Sequence, residues 1–174
     1  LKNIRDWPIS RQLWWGQSLP VWIHEPKCIP IAGLEKEIEK CEEIKVSITE
    51  PRCDHCAAKF VQSEDVLDTW FSSALWPFAA LGGPDKTKDF KEFYPTSVLS
   101  TARDIINLWV SRMIFSGLEF TGKVPFKDVL VHATILTKDG KRMSKSLGTG
   151  VDPLMLIEKY GAAATRFGLI WQAM

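Results

Sequence analysis

The chain has 174 residues, 45% of them hydrophobic, enough to bury a core in one domain or in one domain with a small insertion, and this excludes fibrous and disordered classes. Its 22 Lys and Arg against 21 Asp and Glu leave a formal charge of +1, so the overall balance announces neither a nucleic-acid nor a membrane surface. No apolar run approaches the roughly 18 residues of a membrane span, and Leu1-Lys-Asn-Ile-Arg-Asp-Trp7 lacks the apolar core of a signal peptide, so a cytoplasmic location is expected.

Residues 1–23 are rich in tryptophan and end in Leu19-Pro-Val-Trp-Ile23, which reads as a short apolar strand after a glycine-containing turn. From 24 to 60 the composition shifts to Lys, Glu, Pro and Cys, the mark of a small insertion, and Leu34-Glu-Lys-Glu-Ile-Glu-Lys-Cys41 reads as a short exposed helix. Within it, Cys53-Asp-His-Cys56 has the spacing of a knuckle that presents two thiolates to zinc. A structural zinc takes four ligands, so a second pair is required. His24 and Cys28 are the expected partners, with Cys41 and His55 in reserve; the alternative is a free pair of thiols in a surface loop. Glu64-Asp-Val-Leu-Asp68 then leads into Thr69-Trp-Phe-Ser-Ser-Ala-Leu-Trp76, closed by Pro77 and the Gly82-Gly83-Pro84 turn, a segment expected to carry its aromatics inward.

The second half has the rhythm of a parallel α/β unit. Thr96–Ser100 reads as a strand. Asp104–Gly117 reads as a helix with apolar Ile105, Ile106, Trp109, Val110, Met113 and Ile114, and Gly117 and Gly122 mark its exit. Val129–Leu136 is the next strand, and strand, helix and strand of these lengths imply a right-handed crossover and half of a doubly wound sheet. Ile105 and Trp109, four apart on the expected helix, share a face at the strand-to-helix junction, where a branched aliphatic group would fit; core packing is the competing reading. By residue type alone, Asp104 at the helix start suits a helix cap, a ribose hydroxyl or an ammonium, capping being the simplest reading, and His132, in an apolar strand, is a satisfied core histidine. Farther on, Asp152-Pro153 is an N-cap followed by a first-turn proline, opening a helix over 154–160 that Gly161 ends before a second begins at Ala162.

Between that strand and that helix lies Lys141-Arg142-Met143-Ser144-Lys145-Ser146. Cations and hydroxyls on a loop outside a strand end suit the phosphates of a nucleotide, and lysine and arginine there neutralise charge on a departing pyrophosphate. A solvated basic turn is the alternative. The sequence shows no Walker-type loop and no Ser-His-Asp arrangement with defensible spacing.

Taken together, several segments resemble the class I aminoacyl-tRNA synthetases, and within them the valyl branch. Arg142-Met-Ser-Lys-Ser146 is similar to the family's KMSKS signature, with arginine for the first lysine. Asp6-Trp-Pro-Ile-Ser-Arg-Gln-Leu-Trp-Trp-Gly16 resembles the segment that re-enters the catalytic domain after the editing insertion. Val66-Leu-Asp-Thr-Trp-Phe-Ser-Ser73, with Leu75-Trp-Pro-Phe78, and Arg103-Asp-Ile-Ile-Asn-Leu-Trp-Val110 extend the likeness. The resemblance implies an α/β fold, the second half of a Rossmann-like catalytic domain with a zinc-knuckle insertion. Its parts would be a re-entry segment (1–23), the insertion (24–60), the half-domain with its KMSKS-type loop (61–150) and the start of a helical connection toward an anticodon-binding domain (151–174).

By the same resemblance, a monomeric parent enzyme activates L-valine with ATP and Mg2+ and passes it to tRNA(Val). Lys145 and Arg142 would act in catalysis. Lys141, Met143, Ser144, Ser146, Asp104 and His132 would complete the ATP site, with Asp104 on the ribose. Trp70, Ile105 and Trp109 would receive the valine side chain, and His24, Cys28, Cys53 and Cys56 would hold zinc. The chain departs from the family in several ways. His24 replaces a cysteine and its pair has one extra residue, and Ala102 and Ala133 stand where glycine is common. The HIGH-type tetrapeptide is missing, the histidines being His24, His55 and His132, and neither the editing nor the anticodon-binding segments are present. A fragment unable to aminoacylate alone is therefore expected. The rivals are an isoleucyl or leucyl synthetase, a non-catalytic module that binds nucleic acid through a zinc knuckle and a basic loop, and a folded but inert remnant of a synthetase.

Overall fold

The computed structural model describes residues 2–25, 31–33, 41, 44–144 and 146–173. Lys145, Cys28 and most of the expected helix over 34–41 lie outside the described residues. The chain divides into two compact units, Leu1–Ser73 and Ala74–Met174.

The first unit is antiparallel. Strands β1 (Ser10–Arg11), β2 (Val21–His24), β3 (Ile44–Val46), β4 (Phe60–Gln62) and β5 (Val66–Leu67) precede helix α1 (Thr69–Ala74). β1 pairs with β5, while β2 is the central strand of a three-stranded sheet in the order β3-β2-β4. The registers Ile23↔Ile44 and His24↔Phe60 bring the starting ends of both outer strands to the His24 end of β2. The boundary expected at 23/24 therefore runs through a strand: β2 belongs at once to the tryptophan-rich segment and to the insertion, because its ladder bonds cross between them. Next to this sheet, the buried Asp68 accepts from Trp7 Nε1 at 2.6 Å and Arg11 Nη2 at 3.2 Å. Those two charge-assisted bonds fasten the N-terminal segment to the start of α1.

In the second unit, α2 (Trp76–Ala79), α3 (Lys88–Phe93), β6 (Thr96–Ala102), α4 (Ser111–Thr121), β7 (Phe126–His132), α5 (Pro153–Tyr160) and α6 (Ala162–Ala173) follow in order. β6 and β7 are parallel, registered from Thr96↔Phe126 to Ala102↔His132, with α4 in the connection as the sequence implies. The core is the helix packed on this pair: buried Val110, Met113 and Phe126, flanked by Leu99, Ile106, Trp109 and Ile114. At the close approach of α4 to the chain around 94 and 123–125, a Cβ on Gly117 would stand 2.8 Å from Tyr94 Oη and 3.0 Å from Lys123 O. Tyr94 Oη donates to that same carbonyl at 3.0 Å and accepts from Thr121 Oγ1 at 2.9 Å. Gly122, at φ 72°, closes the helix in the left-handed conformation that glycine adopts without cost from a Cβ.

Four expectations change here. The helix expected from Asp104 opens as a 3-10 turn over Arg103–Ile105 and a π-helical turn over Ile106–Val110, and becomes α-helical only at Ser111. The α-helical spacing argued for Ile105 and Trp109 therefore does not apply, since the two lie on turns of different winding. β7 begins three residues before Val129, where pairing with β6 allows, and ends at His132 instead of Leu136. His132 is exposed at that end, not a core histidine, and its Nδ1 lies 2.9 Å from the Ala133 carbonyl. Trp76, expected inside, is 65% exposed, while Phe78 two residues on is buried.

Candidate functional site

His24, Cys41, Cys53 and Cys56 place one ligand atom each within 4.8 Å of one another. The strand pairing explains the convergence. Cys41 lies just ahead of β3, Cys53 and Cys56 just ahead of β4, and both strands start beside the His24 end of β2. Cys53 Sγ is 3.6 Å from Cys41 Sγ, and His24 Nε2 is 3.1 Å from Cys56 Sγ. A tetrahedral zinc with ordinary bond lengths separates two thiolate sulfurs by about 3.8 Å and a sulfur from an imidazole nitrogen by about 3.6 Å, so this donor set fits the ion. The imidazole is already oriented: its Nδ1 meets the Glu25 carbonyl at 2.6 Å. A carbonyl only accepts, so Nδ1 carries the proton and Nε2 turns its lone pair toward the thiols.

The thiols are also prepared. Burial pushes the Cys53 thiol up, but hydrogen bonds from the His55 backbone, the Cys56 side chain and backbone and the Cys41 side chain outweigh it and lower its pKa from 9.0 to about 6. Cys53 therefore favours the thiolate, the form that ligates metal. Phe60 packs against Cys53 and Cys56, with Trp22, Cys41 and Ala58 around them, and stands edge-on to His24 at 5.0 Å. Three of the expected ligands, His24, Cys53 and Cys56, come together. The fourth position described is Cys41, held in reserve on spacing alone, while Cys28 lies outside the described residues. The signal that singles out Cys41 is its place immediately before a strand that pairs with β2.

The basic loop is built differently. Beyond β7 the chain forms a tight hairpin: Leu136 bridges Arg142, Thr137 N donates to Lys141 O at 2.8 Å, and Lys141 N donates to Thr137 Oγ1 at 3.1 Å. Gly140, at φ 73°, supplies the positive dihedral that the turn needs. A second turn follows, in which Ser144 N donates to Thr149 Oγ1 at 3.0 Å and Thr149 N to Ser144 O at 3.2 Å. The hydroxyls of Ser144 and Ser146 are 2.8 Å apart. Asp152 then caps α5, accepting from Leu154 N at 2.9 Å with Pro153 at the first helical position, as its sequence implies. Lys141, Arg142 and Ser146 are exposed, and Met143 and Ser144 half-buried.

Asp104 does not cap. The turn it occupies begins at Ala102 with no side-chain cap bond, and its carboxylate instead receives Arg142 Nη2 at 2.7 Å. Ile105 and Trp109 are half-buried, Trp109 against the α4 core. Trp70, also half-buried, sits on α1 in the first unit. Asp104 lies two residues past the end of β6 and His132 is the last residue of β7, so the two flank the carboxyl ends of parallel strands, the edge where α/β folds gather ligands. Among the described residues, no helix is long and apolar enough to cross a membrane.

The chain is similar to several known proteins. The chain is 54% identical over 98% of its length to a valine–tRNA ligase of Clostridium tetani, of which it covers 18%. It is 53% identical over 97% of its length to the valine–tRNA ligase of Treponema denticola and 52% over 97% to that of Bacillus subtilis, covering 17% of each. The chain thus spans under a fifth of the length of these curated relatives. Among solved structures, the LeuRS–tRNA–LeuAMS ternary complex of Agrobacterium radiobacter K84 superposes with a TM-score of 0.67 at 20% identity, over 97% of this chain and 24% of that one, a likeness of fold. Methionyl-tRNA synthetase of Mycobacterium tuberculosis, in complex with methionyl-adenylate, gives a TM-score of 0.51 at 26% identity over 60% of this chain and 20% of that one. The family model for tRNA synthetases class I (I, L, M and V) matches residues 1–174, and with the parallel pair and basic loop in place the chain belongs to that family.

Proposed function

We propose that this chain forms part of the catalytic domain of an enzyme that activates L-valine with ATP and Mg2+ and transfers it to tRNA(Val). The observation that carries the reading is identity at more than half the aligned positions with valine–tRNA ligases along nearly the whole chain. In the first step, a valine carboxylate oxygen attacks the α-phosphorus, the bond to the bridging oxygen breaks, and pyrophosphate leaves with its electron pair. The adenylate's carbonyl is then attacked by a hydroxyl of the tRNA terminus, and AMP departs. Positioning and charge neutralisation suffice for the first step, and no covalent enzyme intermediate is required.

In this reading Lys145 and Arg142 counter the charge that develops on the leaving pyrophosphate, with Lys141 beside them. Ser144, Ser146 and the Met143 backbone line the same loop. Asp104 accepts from the ribose hydroxyls, and His132 stands at the same edge of the strand pair. Ile105 and Trp109 receive the valine side chain. A pocket sized for valine admits threonine to within about 10²-fold, so such an enzyme needs a separate hydrolytic correction.

The donor set of His24, Cys41, Cys53 and Cys56 suits zinc, which would supply a structural cross-link between the starts of β3 and β4 and the end of β2, with no part in the acyl transfer. The test of the catalytic reading is amino-acid-dependent ATP–pyrophosphate exchange by the full-length gene product. Strong exchange with valine, weak exchange with threonine and a loss on the order of 10²-fold or more in Lys145→Ala are expected. Exchange driven by isoleucine or leucine instead would overturn it.

A further inference from the structure

Arg142 is the one described member of the KMSKS-type signature with an ion-pair partner outside the loop, and the partner is Asp104, at 2.7 Å. Both ends of this contact are held by backbone. The hairpin that bridges Leu136 to Arg142 fixes where the guanidinium starts, and the 3-10 turn at the end of β6 fixes the carboxylate. Its members remain accessible, with side chains 72% and 40% exposed, so the pair is weak and a ligand can displace it.

We propose that Arg142 and the nucleotide ribose compete for the Asp104 carboxylate, so that the Arg142–Asp104 ion pair is a resting latch of the basic loop that nucleotide binding opens. This rests on the assignment of Asp104 to the ribose made above. A ribose cis-diol offers two O–H donors, which a carboxylate accepts best with both oxygens; Arg142 already engages Oδ2. When the diol takes the carboxylate, the guanidinium is released beside Lys141, with its five donors free for phosphate oxygens. Occupation of the ribose site and delivery of a cation to the phosphates thereby become one event. Arginine at this position, where the family signature has lysine, gives the latch a planar fork suited to a carboxylate and then to a phosphate, which an ammonium lacks.

The neutral ligand adenosine separates the latch from the phosphate chemistry. Calorimetric titration of the full-length protein should show adenosine binding about two- to five-fold more tightly to Arg142→Ala than to the parent, with Arg142→Lys in between. The 2′,3′-dideoxy analogue should bind both equally. Without any substitution, raising the salt from about 0.05 to 0.5 M should also tighten adenosine binding to the parent, because screening weakens the competing ion pair while the ligand carries no charge. Adenosine affinity unchanged or weakened in Arg142→Ala, with Asp104→Asn still weakening it, would overturn the latch. Adenosine affinity unaffected by Asp104→Asn would overturn the ribose assignment itself, and the latch with it.

Discussion

The two buried clusters of this molecule are made of different material. In the second unit Val110, Met113 and Phe126 bury hydrocarbon where α4 packs on the β6–β7 pair, and burial alone stabilises the contact at roughly 1.5–3 kcal/mol per large side chain. In the first unit two of the three buried members, Cys53 and Cys56, are thiols facing a third thiol and an imidazole, with Phe60 as the principal apolar mass. A sheet of strands three or four residues long cannot gather much apolar area, so its cohesion depends on atoms that bind one another or an ion. One cluster is made of hydrocarbon, the other chiefly of sulfur and nitrogen donors. The comparison also separates the two candidate sites: the Cys/His cluster gathers on buried and half-buried side chains, whereas Lys141, Arg142 and Ser146 of the basic loop are exposed and the loop is moored by backbone turns.

The sharpest way to break this comparison is to remove the ligation. Cobalt titration of the metal-stripped protein should give the intense absorption of tetrahedral thiolate coordination, and Cys41→Ser or Cys56→Ser should abolish it. Cys28→Ser should leave it intact if Cys41 supplies the fourth ligand. Chelation should cost the first unit up to about 10 kcal/mol, enough to unfold it, while the melting of the second unit stays where it was. The metal-free protein should also depend on pH in a definite direction. The Cys53 thiol is depressed from 9.0 to about 6 in the folded state, so its stabilisation is full above pH 9, shrinks as the pH falls and is gone below about 6. An ultraviolet titration of thiolate absorbance, lost on Cys53→Ser, checks the sign. A midpoint above 9 would mean that burial outweighs the hydrogen bonds.

How much of this the sequence disclosed follows the same division. Local chemistry was legible: the Asp152-Pro153 cap, the glycine ends at Gly122 and Gly161, and the strand, helix and strand order each depend on residues close together along the chain. The winding over Arg103–Val110 was not, because a 3-10 turn running into a π-helical turn keeps an apolar spacing that an α-helix would also produce. Cys41 needed the register of β3 on β2, a long-range fact, whereas the pair Cys53 and Cys56 announced itself by spacing. The ion pair of Asp104 with Arg142 escaped for a similar reason. A carboxylate at the start of a helix is a cap by local rules, and nothing local reveals an arginine brought back by the hairpin over Leu136–Arg142.

A smaller effect tests the packed unit. Gly117→Ala would gain about 1 kcal/mol in helix propensity, yet its methyl would stand 2.8 Å from Tyr94 Oη, 3.0 Å from Lys123 O and 3.0 Å from Pro125 Cδ. Two of these atoms belong to backbone or a proline ring, and the third is held by two hydrogen bonds, so none can yield cheaply. Overpacking of this kind costs about 1–3 kcal/mol, and a net fall in melting temperature confined to the second unit is expected. A rise would mean that propensity outweighs the contact, and that α4 is held less tightly than its burial implies.

The smallest effect belongs to the loop, where the bonds are local and exposed. Asp152→Ala removes the acceptor of Leu154 N and should cost about 1 kcal/mol at the start of α5, while Asp152→Asn or Asp152→Ser should restore most of it. Because no described residue of the loop joins either buried cluster, that loss should stay local. Hydrogen exchange at the Leu154 amide should quicken about five-fold, and amides of the α4 core, such as that of Met113, should keep their rates. Exchange that quickened equally at Met113 would show that the cap couples into the packed unit. The basic loop would then be part of the body that burial holds together, and its ion pair with Asp104 would be one contact of that body instead of a hinge upon it.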